Sequence, residues 1–226
     1  MANQKNHKEE LSVEDALTQS EAFIVKYKNI IIGAVVAIIL IVAGVLMYQN
    51  LYLEPREEKA QAALFKSQLL FDQNAFEMAL NGDSIGSAGL LKIASEYSGT
   101  KAASLARAYA GICYAHLGEY EKAIKELDSF KGSDAMVSPS ILGAIGNSYA
   151  KLEQLDKATS YLVKAADQAD NGSLSSIFLM QAGNIYEKQG KFADAVKAYT
   201  KIKDNYFNSY QAMDIDKYIE RANLQK

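Results

Sequence analysis

The chain has 226 residues, 49% hydrophobic and 23% charged, with a net charge of −3. Residues 1–28 carry 4 Lys against 5 acidic residues and residues 49–226 carry 20 basic against 22 acidic, so neither part is a polycation and nucleic acid is excluded as the main partner, as is binding to an anionic lipid surface through charge alone. The single cysteine, Cys113, forbids an intramolecular disulfide and lies far from any N-terminal lipoprotein anchor, while two prolines, no tryptophan and frequent alanine point to an all-α chain.

Residues 1–11 are polar and have little to bury, so they are expected to be disordered. Ser12-Val13-Glu14-Asp15 is a loose capping box for a helix beginning near Val13. Val13, Leu17, Ile24 and Tyr27 then form an apolar stripe, suited to a membrane surface or a partner's face, or simply to a helical extension of the apolar run that begins at Ile30. Residues 1–28 are therefore read as a short N-terminal segment carrying a short amphipathic helix.

Ile30 to Met47 reads IIIGAVVAIILIVAGVLM, without a charge or a strongly polar side chain. As a helix it would span roughly 27 Å, the thickness of a bilayer's hydrocarbon core. Its six Ile, four Val and two Leu favour insertion by about 4–7 kcal/mol. Tyr27 and Tyr48 stand at the two ends, and Lys26 and Lys28 can snorkel on the N-terminal side. No small-x-small cleavage site occurs within Val45–Glu54, so residues 29–48 read as an uncleaved transmembrane helix, with lipid contact through residues 30–47.

Residues 49–100 return to charged and apolar residues at helical spacing. Pro55 suits the first turn of a long helix reaching about Leu80, Asn81 to Gly89 reads as a glycine-rich loop, and Leu90 to Tyr97 as a short helix stopped by Ser98-Gly99. The length suffices for one divergent helical pair.

From Lys101 the chain repeats itself. Gly111, Tyr114 and Ala123 recur as Gly146, Tyr149 and Ala158, then as Gly183, Tyr186 and Ala195, and a large apolar residue stands four after each alanine: Leu127, Leu162 and Tyr199. Gly and the later Ala place small side chains where two antiparallel helices approach closely, and the Tyr fills the space one turn on. Gly118 and Gly190 fall where the first helix of a pair must stop, and Ser138-Pro139 makes a start for the second repeat. Met213 to Leu224, with Tyr218 and Ile219 placed to pack back, would close the stack.

These residues resemble the tetratricopeptide repeat, W-x2-L-G-x2-Y then A-x3-F then P. The resemblance implies an α-solenoid of helical hairpins over residues 101–226. Arg107, Leu142 and Leu179 stand in place of the motif's Trp, Ala135, Asp170 and Phe207 in place of its Pro, and Glu153 in place of a turn glycine. The layout also resembles a narrower family of single-pass bacterial inner-membrane proteins, ancillary subunits of the Sec translocon that work beside a membrane-anchored periplasmic chaperone. That resemblance rests on the segment Glu14–Lys26, the long helix after the span, and the turn Tyr97–Thr100 with its Ala-rich helix. It implies an N-terminus in the cytoplasm, a periplasmic body, and translocon subunits, chaperone and emerging polypeptides as partners.

No catalytic constellation is visible. His7 lies in the polar tail, His116 has no second ligand at metal spacing, Cys113 reads as a buried structural thiol, and Gly82–Gly86 is a flexible loop rather than a phosphate cradle. No cofactor or metal is expected. Binding is the better prospect: first helices line the concave face of such a stack, so residues one and five after each Gly should face a groove. These are Ile112 and His116, Asn147 and Lys151, Asn184 and Lys188. Two Asn and two Lys can receive a peptide backbone or a carboxylate, in partial resemblance to the clamp by which some tetratricopeptide domains hold chain termini. Ordinary solvated helix residues are the preferred reading over a true clamp, and a groove with a peptide-binding role is retained.

The function expected is a non-enzymatic, membrane-anchored scaffold. The competing readings are a cytosol-facing receptor or assembly factor for another membrane complex, since the flanking positive charges are nearly balanced, and a tethered enzyme.

Overall fold

The computed structural model describes the backbone of residues 3–83 and 86–225, and the side chains of residues 23–83 and 86–225. The described residues contain helices and no strands, an all-α fold. The chain divides into two compact units, Met1–Pro55 and Arg56–Lys226.

In the first unit, helix α1 runs from Asn3 to Tyr48. It begins well before Val13, and residues 3–11 are helical where disorder was expected, because an apolar segment that nucleates a helix lets it extend through Lys, Glu and Gln at little cost per residue. The side-chain stripe expected at Val13 and Leu17 lies outside the described residues. Every residue from Ile30 to Met47 is exposed. The helical stretch Phe23–Asp72 contains an eighteen-residue window of mean hydropathy 3.2, none of it buried within the fold, and is long and apolar enough to cross a membrane.

Gln49–Leu53 forms a π turn, in which the Glu54 amide donates to the Gln49 carbonyl. Pro55 accounts for it. The residue has no N–H for the Leu51 carbonyl, and its ring crowds that oxygen, so the helix widens locally instead of breaking.

Helix α2, Glu54–Asp72, stops short of Leu80. Asn74 is the reason: with φ +59 it takes the left-handed position, its amide donates to Phe71 O and that of Ala75 to Leu70 O, the Schellman pattern that ends a helix. Helix α3 (Phe76–Asn81), a loop, and α4 (Leu90–Glu96) come next. Ala60 and Leu64 of α2, Ala79 and Leu80 of α3, and Leu90 and Ile93 of α4 share one buried cluster with Ala102, Ala106 and Cys113 of the next helix. The Glu57 carboxylate accepts the Lys101 and Ala102 amides, and Thr100 Oγ1 accepts that of Ala103, so three of the amides left open at that helix start are satisfied.

The remainder of the body is built from three hairpins. They are α5 (Lys101–His116) with α6 (Tyr120–Asp128), α7 (Val137–Lys151) with α8 (Leu155–Ala169), and α9 (Ser175–Lys188) with α10 (Phe192–Asn205). Each first helix is held against its second through the repeated glycine. A Cβ on Gly111 would stand 2.5 Å from Leu127 Cγ, on Gly146 2.9 Å from Leu162 Cγ, and on Gly183 2.2 Å from Tyr199 Cε1. The oxygens of Ala123 and Ala158 lie 3.0 and 3.1 Å from the same points on Gly111 and Gly146. Leu127, Leu162 and Tyr199 are thereby almost wholly buried, each worth about 1.5–3 kcal/mol on the scale for large apolar side chains.

The turns within the hairpins need one left-handed residue, and Gly118, Glu153 and Gly190 supply it with φ of +79, +56 and +71. At the start of α7 the cap is Asp134, not Ser138. The Asp134 carboxylate accepts the Met136 and Val137 amides at 3.0 and 2.5 Å, which, with the Val137 bond leading, hold it below the usual carboxylate range. Beyond α10, a 3-10 turn (Tyr210–Asp214) leads into α11 (Ile215–Asn223), whose Ile215 and Ala222 are buried, with Tyr218 and Ile219 packed on the same cluster.

Side-chain links one repeat apart tie the C-terminal hairpins together. Lys188 bonds Glu153 at 2.8 Å, Lys191 bonds Asp156 at 2.5 Å, Lys201 bonds Asp167 at 2.5 Å, and Arg221 bonds Glu187 at 2.8 Å. Among the described residues no ion pair joins the first repeat to the second. That joint rests on Ala108, Leu127, Ile141 and Ile145. Gly183→Ala, which drives a methyl into the buried Tyr199 ring, should lower unfolding free energy by about 1–3 kcal/mol in urea titrations of the full chain in detergent, whereas Lys164→Ala on the exposed face of α8 should stay within about 0.5 kcal/mol.

Candidate protein-binding groove

The face that receives the predicted residues is built by α5 and α7. Ile112 and His116 lie a turn apart on α5, Asn147 and Lys151 a turn apart on α7, and all four line a cavity of about 250 Å³ that also touches Ala144 and Tyr120. His116 stacks flat on Phe76, with centroids 4.4 Å apart and an interplanar angle of 7°, which fixes the ring at the edge of that cavity. Ser148 Oγ donates to Ala144 O at 2.8 Å and so leaves the lining without a competing donor from that hydroxyl.

Asn184 and Lys188 are engaged elsewhere. Asn184 Oδ1 accepts a hydrogen bond from the hydroxyl of buried Tyr199 at 2.9 Å. Lys188 Nζ donates to both Glu153 oxygens, at 3.0 and 2.8 Å. The third repeat therefore uses its equivalent positions to hold the stack together, and the six residues do not form one continuous row of free donors.

Ile112 also lines a second cavity of about 300 Å³, bordered by Leu105, Tyr109, Met136, Val137 and Ile141. Met136 is 54% exposed and Val137 39%, so an apolar floor stays open to solvent where α5 meets the start of α7. The repeat motif does not single out these residues. The signal for them was present in the spacing: Leu105, Tyr109, Ile112 and His116 step by four, three and four along one face of α5.

Cys113, by contrast, is fully buried in the cluster that α5 shares with α2, α3 and α4. Burial pushes its thiol up to about 12, against a smaller lowering by a backbone hydrogen bond. In the carboxylate clusters, Glu119 pairs with Lys122, Asp214 with Lys217 and Asp216 with Lys203 at the surface.

Stacked two-helix hairpins with an exposed first-helix groove define a helical-repeat interaction module. A family model described as a tetratricopeptide repeat-like domain matches residues 21–212, and the chain belongs to that family. No curated protein matches the sequence. A protein of this family offers surfaces for protein partners, and among the described residues the groove between α5 and α7 is open beside Ile112, His116, Asn147 and Lys151.

Because the folded state holds the Cys113 proton well above the ordinary thiol range, the stability it contributes is complete below about pH 9 and is lost as pH rises toward 12. In the native chain at pH 8 the thiol should resist a disulfide reagent over hours and react within minutes once urea unfolds the protein, with ionic detergent alone as a comparison.

Proposed function

We propose that the protein is a membrane-anchored scaffold of a bacterial inner membrane, with its N-terminus inside and its repeat body in the periplasm, docking partners at the Sec translocon beside a membrane-anchored chaperone. One observation carries the reading: an apolar helix with none of its eighteen-residue window buried shares a chain with a repeat domain whose first-helix groove is open. An exposed run of that hydropathy needs a lipid or protein cover, because leaving it in water costs about 25 cal/mol for each Å² of apolar surface.

The flanks agree with a span. Lys26 Nζ sits 5.4 Å from the Tyr27 ring centroid, and Tyr48 and Tyr52 stack at the other end with centroids 5.2 Å apart, the belt expected where hydrocarbon meets headgroups. Tethering raises the local concentration of partners in the same membrane, so shallow groove contacts suffice for function. The translocon and chaperone rest on the resemblance of Glu14–Lys26, the post-span helix and the Tyr97–Thr100 turn.

Two measurements test the proposal. Protease added to spheroplasts should degrade residues 50–226, and complete protection would place the body in the cytosol and favour a receptor for another complex. A photoreactive residue at Ser140, which lines the apolar cavity, should crosslink translocon subunits or the chaperone in intact membranes, while one at exposed Lys164 should give at least tenfold less of the same adducts.

A further inference from the structure

We propose that a polar cavity between the α8–α9 connection and the 3-10 turn after α10 binds a short stretch of neutral glycan. The cavity measures about 410 Å³, within the range of roughly 300–1,000 Å³ typical of small-molecule sites. It shares no residue with either cavity at α5 and α7.

The lining comes from two segments: Ser173 and Ile177 at the start of α9, and Asn208, Ser209, Tyr210 and Gln211 after α10. Ser176 holds the two together, its Oγ lying 2.6 Å from Gly172 O and 2.9 Å from Gln211 Oε1. They approach closely, so that a Cβ on Gly172 would stand 3.2 Å from Asn208 Oδ1. Ser209 is 7% exposed, yet its Oγ has no hydrogen-bond partner. It stands just before the 3-10 turn, where a serine ordinarily accepts from the next amides, and makes no such bond. The fold leaves this hydroxyl unspent, and a buried unspent hydroxyl calls for a partner.

The remaining groups set the chemistry of the ligand. No Lys, Arg, His, Asp or Glu lines the cavity, so an ion of either sign finds no counter-charge in its wall. A wholly apolar ligand fits no better, because it would seal the Ser209 hydroxyl away from any partner. Among the described residues the side chains of Ser173, Asn208 and Tyr210 make no hydrogen bond, and Gln211, bonded through Oε1, keeps its NH2 unused. Hydroxyls and amides together both donate and accept, which matches a ligand rimmed with hydroxyls that do the same. A serine hydroxyl is redirected by rotation about the single χ1 bond, so Ser209 can turn to such a ligand. Tyr210 also lines the cavity and is 80% exposed. An aromatic face presented in this way suits the apolar C–H face of a sugar ring, with its phenolic tip left for the rim.

The test titrates the full chain, in a detergent without a sugar headgroup, with cellotetraose and with chitotetraose, read by calorimetry and saturation-transfer NMR. At least one should bind, with the strongest transfer at its ring C–H protons. Tyr210→Ala and Ser209→Ala should each weaken that binding about fivefold, whereas Lys164→Ala should leave it unchanged. Neither Tyr210 nor the Ser209 hydroxyl makes a side-chain hydrogen bond within the fold, so both variants should keep the wild-type melting temperature. Binding of neither glycan, or binding that either variant leaves unchanged, would overturn the proposal. A capped neutral peptide, acetyl-Gly-Ser-Gly-Ser-amide, that binds more tightly than both glycans and loses affinity in Tyr210→Ala would give the cavity to a polypeptide and overturn it as well.

Discussion

The close approach of two helices across each hairpin governs the rest of the repeat body. At Gly111, Gly146 and Gly183 the absence of a side chain lets a large residue from the second helix lie directly on the first helix's backbone. Leucine fills that space twice and tyrosine once, and the third site solves a problem the others do not have. Tyr199 brings a hydroxyl into the interior, where burial pushes its ionisation up and Asn184 accepts its hydrogen bond. An unpaired hydroxyl there would cost about 1–3 kcal/mol. A residue at a groove position in two repeats is thus diverted to packing in the third.

The repeats were legible because only glycine satisfies such a contact, so a spacing of glycine, tyrosine and alanine carries three-dimensional information without any alignment. Positions where another residue does a glycine's work were legible only where the repeat marked them. Glu153 stands at the turn-glycine position of the second repeat and takes that conformation, whereas Asn74, a residue type that tolerates positive φ, ends α2 outside any repeat and before the expected Leu80. At Glu153 the left-handed backbone costs on the order of 1–2 kcal/mol, but the side chain gains a partner in Lys188, which a glycine cannot offer. The cap at Asp134 and the extension of α1 toward Asn3 escaped for a related reason: each depends on a competition among several adequate local signals.

The groove was half legible. Ile112, His116, Asn147 and Lys151, read as one and five residues beyond each glycine, line a single cavity, since helical periodicity fixes which face they share. It could not reveal which equivalent residues are spent on neighbours, because Lys188 and Asn184 are bound by partners 35 and 15 positions away. Nor did the repeat motif contain Met136 and Val137, which lie where the connection between repeats enters α7 and help line the apolar cavity.

The ladder of exposed ion pairs and the apolar seam respond differently to the medium. Dissolved salt screens the former over about 8–10 Å at ordinary ionic strengths and leaves the latter intact. The cleft between α5 and α7, set by Ala108, Leu127, Ile141 and Ile145, is therefore insulated from ionic strength, while the ion pairs added to the apolar cluster of the later hairpins are not. A groove built this way keeps its width across media of very different salt content.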